Sequence, residues 1–335
     1  MPEPAPPTHC SRQSRWALRV AMINLAFVIV IWTVLITSAD VDVWPTLLLF
    51  GPRMVIAIPT VIVMLLAVRT RSYRVAVLGV GALAVTLGPI AGGTLSLGSA
   101  FAGETKSYRL RIVSLNCGGK LAKRELYDSF IAKTEPDIIA LQEMPSGMDE
   151  WLKDWNGVRG SLSTGIFSKF PLTPVPPLGE QAMGKLGGAT GAVIETPVIN
   201  IPFYSLHLIT PRHGFEAIIS KKLNGLDDLR YTIRLRDAGS RNTRDWVGDP
   251  RSAIIVGDFN MPVESRIYDR DWGKFRNAFS DRGNGFGLTR HTRNLGVRID
   301  HILFSTPWKA QRAWVGSEVG SDHSPLVAEL TLESD

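Results

Sequence analysis

The sequence contains only two cysteines among 335 residues, Cys10 and Cys117. Two thiols cannot build the network of disulfides that stabilises small secreted proteins, and they cannot supply the ligands of a cysteine-rich zinc site. We also predict that these two residues lie in different compartments, for reasons given below. The sequence therefore excludes both a disulfide-bonded scaffold and a cysteine-based zinc site.

A strongly basic soluble region is also missing. The formal net charge is +6, but residues 104–335 carry only +2 of it, and the rest comes from arginines beside apolar segments. Domains that bind nucleic acids usually show a strongly basic balance. The net charge is thus weak evidence for a nucleic-acid surface. The sequence also has no repeat of short period, which argues against a solenoid.

Charged residues are scarce in three apolar stretches near the N-terminus, at 20–39, 44–68 and 75–101. Each stretch is long enough to cross the hydrocarbon of a bilayer as a helix. Gly88-Pro89 predicts that the third helix kinks or ends early. A cleaved signal peptide is the alternative for the first stretch, but its apolar part is long and two more stretches follow. We therefore predict three transmembrane helices within 20–101, preceded by a tail at 1–19.

The charges around these stretches predict how they cross the membrane. Arginines precede the first stretch and separate the second from the third, whereas acidic residues separate the first from the second. The residues concerned are Arg12, Arg15, Arg19, Arg69, Arg71 and Arg74 on one side, and Asp40 and Asp42 on the other. Because loops rich in arginine and lysine stay in the cytoplasm, we expect a cytoplasmic N-terminus and an extracytoplasmic C-terminal domain. Arg53 is the exception, and it either extends to the outer interface or has a functional partner.

The remainder of the chain predicts one α/β domain at 109–335, joined to the helices by a flexible linker at 102–108. Apolar runs typical of strands alternate with segments of helical periodicity. We predict strands at 109–116, 137–143, 164–168, 189–195, 201–208, 298–305 and 325–332, and helices at 123–133 and 215–238. This order favours a sandwich in which sheets pack together and helices cover the outside.

The stretch from Ala253 to Pro262 organises the chemistry that we predict. Its apolar first half is typical of a strand buried on both faces. Asp258 and Asn260 follow, and because they are two residues apart, both point to the same side of an extended chain. A carboxylate and an amide presented together can hold a water molecule and a phosphoryl oxygen. The alternative is an Asx turn that only caps the strand.

Other predicted strands also end in polar residues suited to phosphate or metal chemistry. They are Asn116, Glu143, His207, Asp300 and the segment Ser321-Asp322-His323-Ser324-Pro325. One such residue is usually a cap, but a whole series after core-like strands is hard to explain in that way. Because a sandwich brings its strand ends to one rim, we expect these residues to converge there.

These motifs resemble those of the endonuclease/exonuclease/phosphatase superfamily, which includes DNase-I-type nucleases, sphingomyelinases and inositol polyphosphate phosphatases. The resemblance covers essentially all of 109–332, with the motifs in the family's order. It rests on Leu115-Asn116, Leu141-Gln142-Glu143, Ser168-Lys169-Phe170-Pro171, Ser205-Leu206-His207-Leu208, Gly257-Asp258-Phe259-Asn260, Ile299-Asp300-His301-Ile302-Leu303 and Ser321-Asp322-His323-Ser324-Pro325. The family often has arginine in place of Lys169, a change that should not affect the chemistry. The predicted spans resemble those of membrane-bound bacterial members, some of which are linked to glycopeptide resistance.

The resemblance implies a four-layered, DNase-I-like α/β sandwich and a role for each residue at the strand ends. Glu143 would be the main ligand of a Mg²⁺ or Mn²⁺ ion, with Asn116 beside it and Asp322 completing the acidic cluster. Asp258 would orient and deprotonate the attacking water, and Asn260 would donate to a phosphate oxygen. His207 and His323 would contact the phosphate. Asp300 would hold His323 in its tautomer and favour its protonated form.

Two further sets of residues are ambiguous. Several arginines lie close together in 212–251, and they form either a solvated helix face or a contact for an anionic substrate, with Arg234 as the candidate. His301 follows Asp300 and so points to the other face of its strand. We therefore expect His301 to be a packed or surface histidine.

Taken together, these features predict a membrane-anchored, divalent-metal-dependent phosphoesterase in the cell membrane. A lipid-linked phosphate is the favoured substrate, because the helices would hold the domain near lipid headgroups and the domain is nearly neutral. An extracytoplasmic nuclease is the alternative enzyme, and a catalytically inactive membrane sensor is the alternative from another class. The sequence shows no evident need for a protein partner beyond substrate and membrane lipid.

Overall fold

A computed structural model describes residues 9–96, 108–119, 123–183, 186–292 and 296–332. The predicted linker, apart from residue 108, lies outside these residues, as do residues 1–8 of the predicted tail. The described chain forms a helical region, 9–96, and an α/β domain that begins at 108.

The helical region contains three helices that are long and apolar enough to cross a membrane, Ser14–Ser38, Arg53–Thr70 and Tyr73–Ile90. Its elements are α1 (His9–Ser38), α2 (Val43–Phe50), α3 (Ala57–Thr70), α4 (Tyr73–Val85) and a short strand β1 (Thr94–Leu95). The second and third helices are shorter than the apolar stretches, and the third ends at Gly88-Pro89 as predicted. Gly51-Pro52 separates α2 from the second helix, and the third ends in a π-helical turn, Thr86–Ile90, that contains Pro89. Proline cannot donate a backbone hydrogen bond, so it favours an end at this point.

The three long helices pack against one another and leave apolar side chains facing outward. Inside the bundle, the Asn24 amide donates a hydrogen bond of 3.0 Å to Thr60 Oγ1 and links α1 to α3. Outside it, Ile23, Ile58 and Leu65 are exposed. An apolar outer surface around a small packed interior is the pattern expected of helices surrounded by lipid.

The α/β domain contains most of the predicted strands and several that the sequence did not reveal. Its elements are β2 (Arg109–Asn116), α5 (Arg124–Thr134), β3 (Ile138–Gln142), β4 (Asn156–Arg159), β5 (Gly165–Ser168), β6 (Leu172–Pro174), α6 (Glu180–Met183), β7 (Gly188–Glu195), β8 (Asn200–His207), α7 (Arg212–Lys221), α8 (Leu226–Val247), β9 (Ile254–Asp258), α9 (Arg266–Trp272), β10 (Arg276–Asn277), α10 (Ala278–Arg282), β11 (Asn284–Gly285), β12 (Arg290–His291), β13 (Gly296–Val297), β14 (Asp300–Phe304), β15 (Trp308–Val315) and β16 (Leu326–Leu332).

Two six-stranded sheets face each other in this domain. Their strand orders are β15-β16-β2-β3-β5-β4 and β10-β14-β9-β8-β7-β6. The pairs β2/β3 and β8/β9 are parallel, and their neighbours are antiparallel. Gln142, the last residue of β3, links the two sheets, because its amide donates a hydrogen bond of 3.0 Å to Ser205 Oγ on the opposite sheet.

Alternate residues of each strand contribute to different layers of the core, because side chains of a strand point alternately to its two faces. On β2, Ile112 packs between the sheets, whereas Val113 and Leu115 pack under α5. Residues of α8 and α9 cover the outer face of the second sheet in the same way, with Trp272 fully buried. The result is the four-layered α/β sandwich that was predicted.

One predicted helix is divided in two. The sequence suggested a single helix at 215–238, but α7 ends at Lys221, a 3₁₀ turn follows, and α8 begins at Leu226. Gly225 explains the break, because a Cβ atom there would lie 2.3 Å from the carbonyl oxygen of Ala217. Only glycine allows the two helices to approach so closely at this corner.

The helical region packs directly on the sandwich. Val43 of α2 packs with Leu229 and Ile233 of α8, and β1 pairs with β11. Arg53 donates to Ile90 O and forms an ion pair of 2.8 Å with Glu264, and both side chains are mostly buried. Arg53 therefore has a partner in the α/β domain and does not extend into solvent.

Candidate active site

The polar residues at the strand ends meet at one edge of the sandwich, on the inner faces of the two sheets. Asp258 pairs in register with His207 on one side and with Asp300 on the other. Asn116, at the end of β2, faces them from the opposite sheet. The alternation that sends apolar residues into the inter-sheet core therefore sends these polar residues to the same edge.

Asn116 connects the two sheets at this edge. Its amide nitrogen lies 2.9 Å from Glu143 Oε1 and 3.0 Å from Asp258 Oδ2. Glu143 follows β3 in a left-handed backbone conformation, with φ of 47°, which is uncommon for a residue other than glycine. Asn116 and Glu143 thus bring an amide and a carboxylate together beside Asp258.

Asp258 is the centre of the cluster and is only 2% exposed. Its Oδ1 accepts a hydrogen bond of 2.8 Å from the backbone N–H of Asn260, which also has a left-handed conformation, with φ of 52°. Burial, and then the nearby Asp300 carboxylate, raise the pKa of Asp258 above its ordinary value. A carboxylate whose pKa is raised is a stronger base for a proton of water.

Asn260 is fixed by hydrogen bonds of its backbone N–H and of its side chain. Its side-chain nitrogen donates 2.8 Å to Leu208 O, in the segment that follows β8. A primary amide has two N–H groups, so one hydrogen bond leaves the second available to another acceptor.

His323 and Asp300 form a buried pair on the other side of Asp258. His323 Nδ1 lies 2.9 Å from Asp300 Oδ2, and His323 Nε2 lies 3.8 Å from Asp258 Oδ2. Burial disfavours the charged imidazole, but the charge and hydrogen bond of Asp300 prevail and raise the pKa of His323 to about 9. His323 is therefore a cation at neutral pH, with Nε2 directed towards the cluster.

His207 completes the cluster from β8. Its Nε2 lies 3.4 Å from Glu143 Oε1 and 3.9 Å from Asp258 Oδ2. The structure thus brings together seven of the residues predicted from the sequence: Asn116, Glu143, His207, Asp258, Asn260, Asp300 and His323.

The donor set of this edge fits a hard divalent cation. Within the described residues, Glu143, His207 and Asp258 form one group of possible ligands and Asp258, Asp300 and His323 form another, each with its ligand atoms within 4.8 Å of one another. Carboxylate oxygens are ligands that Mg²⁺ and Mn²⁺ prefer, and Glu143 offers them. The Asn116 nitrogen donates to Glu143, whereas the Asn116 oxygen accepts a hydrogen bond of 2.8 Å from the backbone N–H of Gly118. The His323 group already has an internal counter-charge in Asp300. The Glu143 side is therefore the better place for a metal ion.

Asp322 and Arg234 lie apart from these groups. The carboxylate of Asp322 is half-exposed and forms an ion pair with Arg290. Burial opposes ionisation of this group, but Arg290 prevails and lowers the pKa of Asp322. Arg234 lies on the exposed face of α8, because a helix turns by about 100° per residue and the inward-facing arginine is instead Arg236.

The arginine cluster predicted within 212–251 includes Arg236 without singling it out, and the sequence does not indicate Arg290. Arg290 does not lie at the end of a predicted strand. Nothing in a single sequence relates it to Asp322. His301, in contrast, is fully buried as expected, with Nε2 at 2.9 Å from Met261 O. Burial lowers the pKa of His301 to about 3, so it is neutral and structural.

Comparison with known protein families identifies the family to which the sequence is similar. Residues 113–323 match the sequence profile described as the Endonuclease/Exonuclease/phosphatase family. No curated protein sequence matches the chain significantly.

Three solved structures illustrate the similar folds that are known. An endonuclease/exonuclease/phosphatase from Beutenbergia cavernae is 14% identical, with 68% of this chain and 72% of that chain covered and a TM-score of 0.49. Humanized D. rerio TDP2 is 17% identical, with 67% and 99% covered and a TM-score of 0.47. The human Nocturnin catalytic domain is 16% identical, with 67% and 95% covered and a TM-score of 0.47.

Proposed function

This chain belongs to the endonuclease/exonuclease/phosphatase family, and on that premise we propose that it is a membrane-anchored, divalent-metal-dependent phosphoesterase. The observation that supports the proposal is the set of groups around the Asp258 carboxylate. A buried carboxylate of raised pKa has the Asn116 amide, the Asn260 backbone and the Nε2 atoms of two histidines around it. A base, hydrogen-bond donors and a cation are the groups that hydrolysis of a phosphate ester requires.

Glu143 would be the main ligand of a Mg²⁺ or Mn²⁺ ion, with Asn116 beside it. When bound, the metal would neutralise negative charge on the phosphate oxygens as the reaction proceeds. The Asn116 amide is already 2.9 Å from Glu143 Oε1, so it fixes the direction in which that carboxylate points. Asp322 remains a proposed outer member of the acidic cluster.

Asp258 would orient a water molecule and accept its proton. Its Oδ2 lies 3.0 Å from the Asn116 amide nitrogen, 3.9 Å from His207 Nε2 and 3.8 Å from His323 Nε2, so the base lies beside the groups that would contact the phosphate. The in-line attack on phosphorus would then start from this water.

Asn260 and the two histidines would bind the phosphate. The second N–H of Asn260 would donate to a non-bridging oxygen, since the first is taken by Leu208 O. His323, held as a cation by Asp300, would balance the charge that develops on the phosphate, and His207 would contact it from the opposite side.

We propose that the domain lies on the extracytoplasmic side of the cell membrane. The contacts of Val43 and Arg53 with the sandwich support this orientation, because both residues belong to the end of the helical region opposite the arginine-rich loop of 69–74. That loop is the part expected to stay in the cytoplasm.

A groove supports a lipid-linked phosphate as the substrate. A cavity of about 390 Å³ lies where the helical region contacts the sandwich. Its polar lining includes Asn260 and Arg290, and its apolar lining includes Leu49, Phe50, Phe215 and Ile219. Phe50 and Phe215 meet edge to face at 5.4 Å. A polar part beside the catalytic amide and an apolar part beside the membrane helices suit a molecule with a phosphate head and a hydrocarbon tail.

The test uses the full chain in lipid nanodiscs with Mg²⁺, and the Asp258→Asn variant as the blank. Three substrates are compared: a long-chain lipid phosphate or diphosphate, a water-soluble ester with the same phosphate group, and supercoiled plasmid. We expect hydrolysis of the lipid substrate to exceed that of the soluble ester, and to disappear in Asp258→Asn. Plasmid nicking that depends on Asp258 would instead assign an extracytoplasmic nuclease, and Mg²⁺ binding without any turnover would assign an inactive sensor.

A further inference from the structure

A buried ion pair connects the helical region to the candidate active site. Asp40 lies in the turn between α1 and α2, and Arg236 lies in the middle of α8. Arg236 Nη2 lies 2.6 Å from Asp40 Oδ2 and Nε lies 3.2 Å from Oδ1, and both side chains are 0% exposed. This bidentate geometry is the strong form of an arginine–carboxylate contact.

The remaining edge of the guanidinium points to the loops that carry two catalytic residues. Arg236 Nη1 donates 2.8 Å to Ile209 O and 2.9 Å to Asn260 O. Ile209 is two residues beyond His207. One planar group thus joins the chain that follows β8 to the chain that follows β9, directly behind His207 and Asn260.

Asp40 makes this arrangement possible. A guanidinium cannot lose its proton in a protein, so a fully buried one requires a negative partner. Asp40 is that partner, and its Oδ2 also accepts a hydrogen bond of 2.8 Å from Ser265 Oγ, at the start of α9. The carboxylate therefore contacts two elements of the sandwich, α8 and the start of α9, from a position in the helical region.

We propose that Arg236 is a positioning residue for Asn260 and His207, and that Asp40 of the helical region is required for it to act. This proposal rests on the proposed function for its catalytic readout. Its consequence is that the sandwich reaches full activity only when the helical region is docked on it. Loss of Asp40 acts on turnover through the backbone of the two loops, and it leaves the Glu143 side unchanged.

The experiment uses the full chain in nanodiscs and compares Asp40→Asn and Arg236→Lys with a matched control, Glu264→Gln. The control removes a charge from the other mostly buried ion pair between the same two regions, Arg53–Glu264. We measure kcat and KM for the hydrolysed substrate, Mn²⁺ affinity by electron paramagnetic resonance, and hydrogen exchange of backbone amides at 207–211 and 258–261.

For both Asp40→Asn and Arg236→Lys we expect kcat to fall at least tenfold. Mn²⁺ affinity should stay within twofold, and exchange at the two loops should become at least tenfold faster. Lysine keeps the positive charge that Asp40 needs but cannot donate to the carbonyls in the same fork, so this variant separates positioning from simple charge pairing. For Glu264→Gln we expect changes of less than twofold in all measurements.

The proposal is overturned if Arg236→Lys keeps the wild-type kcat, or if Glu264→Gln lowers kcat as much as Asp40→Asn does. A wild-type chain that is no more active than Asp258→Asn would refute the proposed function separately. In that case hydrogen exchange still decides the positioning role, and unchanged exchange at both loops in Asp40→Asn would refute it. If Asp40→Asn fails to fold, the Arg236→Lys measurements stand alone with the same criteria.

Discussion

Buried charged side chains occupy different places in the helical region and in the sandwich. Among the described residues of the helices, charged side chains lie at helix ends, and the two that are buried or nearly so, Asp40 and Arg53, each find a partner in the sandwich. The sandwich instead gathers Asp258, Asp300 and His323 at one buried edge. In both regions these buried charges face opposite charges and hydrogen bonds. The difference is that the helices use such charges for attachment, whereas we propose that the sandwich uses them for chemistry.

The comparison is sharpest at Glu143, which we assign to metal binding. Glu143→Gln should lower activity by at least about 10³-fold, because the metal would lose its main anionic ligand. Excess Mn²⁺ should restore only part of the loss. Initial rates across a metal titration provide the measurement, with exposed Glu150→Gln as the control. Equal activity of Glu143→Gln and wild type at low metal concentration would move the metal elsewhere.

Asp40 tests whether charge in the helical region serves attachment. Asp40→Ala should destabilise the full chain by about 3–5 kcal/mol, because it leaves the Arg236 guanidinium buried without a partner. The matched control is Asp42→Ala, which changes an exposed carboxylate that makes no side-chain cap for α2 and should cost less than about 1 kcal/mol. Denaturant unfolding in detergent measures both variants. Equal stability of the two would break the comparison.

His323 tests whether charge in the sandwich serves chemistry. His323→Ala should lower kcat by about 10²-fold, since the cation held by Asp300 is lost from the cluster. The exposed His291→Ala variant should keep the wild-type kcat. An increase in KM alone, with kcat unchanged, would argue against a role for His323 in the transition state.

His301 gives the smallest expected effect and concerns a group that is buried without charge. Its pKa is lowered to about 3 by burial, whereas an unfolded histidine titrates near its ordinary value. The unfolded state therefore binds the proton first, and stability should fall by about 1.4 kcal/mol per pH unit as pH decreases below roughly 6.5. Denaturant unfolding of wild type and His301→Gln between pH 7 and 5 measures this. The variant should lack this part of the pH dependence, and parallel curves would contradict the assignment.

Much of the fold and of the site was predictable, because both depend on the two-residue period of strands. The period that buries Ile112 and Val256 between the sheets also directs Asn116 and Asp258 to their common edge. The strand ends converge because two sheets pack face to face. The apolar runs of the sequence indicate that packing. The same local rule also separated His301 from Asp300.

The errors arose where tertiary contact overrides local pattern. Local pattern alone does not show that Arg236 faces inward and Arg234 outward, and a contact of Arg234 with the substrate stays a prediction. Hydropathy continues past Ile90, but β1 pairs with β11 of the sandwich, so the chain leaves the third helix earlier than composition suggests. The contact of Asp40 with Arg236 joins residues 196 positions apart, a distance at which a single sequence carries no pairing information.

The central claim is that these strand ends form a metal-dependent site, and anomalous diffraction from the full chain soaked with Mn²⁺ tests it most directly. The account predicts a Mn²⁺ peak in contact with the Glu143 carboxylate, beside Asn116, that disappears in Glu143→Gln. A peak held by other residues without Glu143, or no peak at a Mn²⁺ concentration that supports turnover, would contradict it.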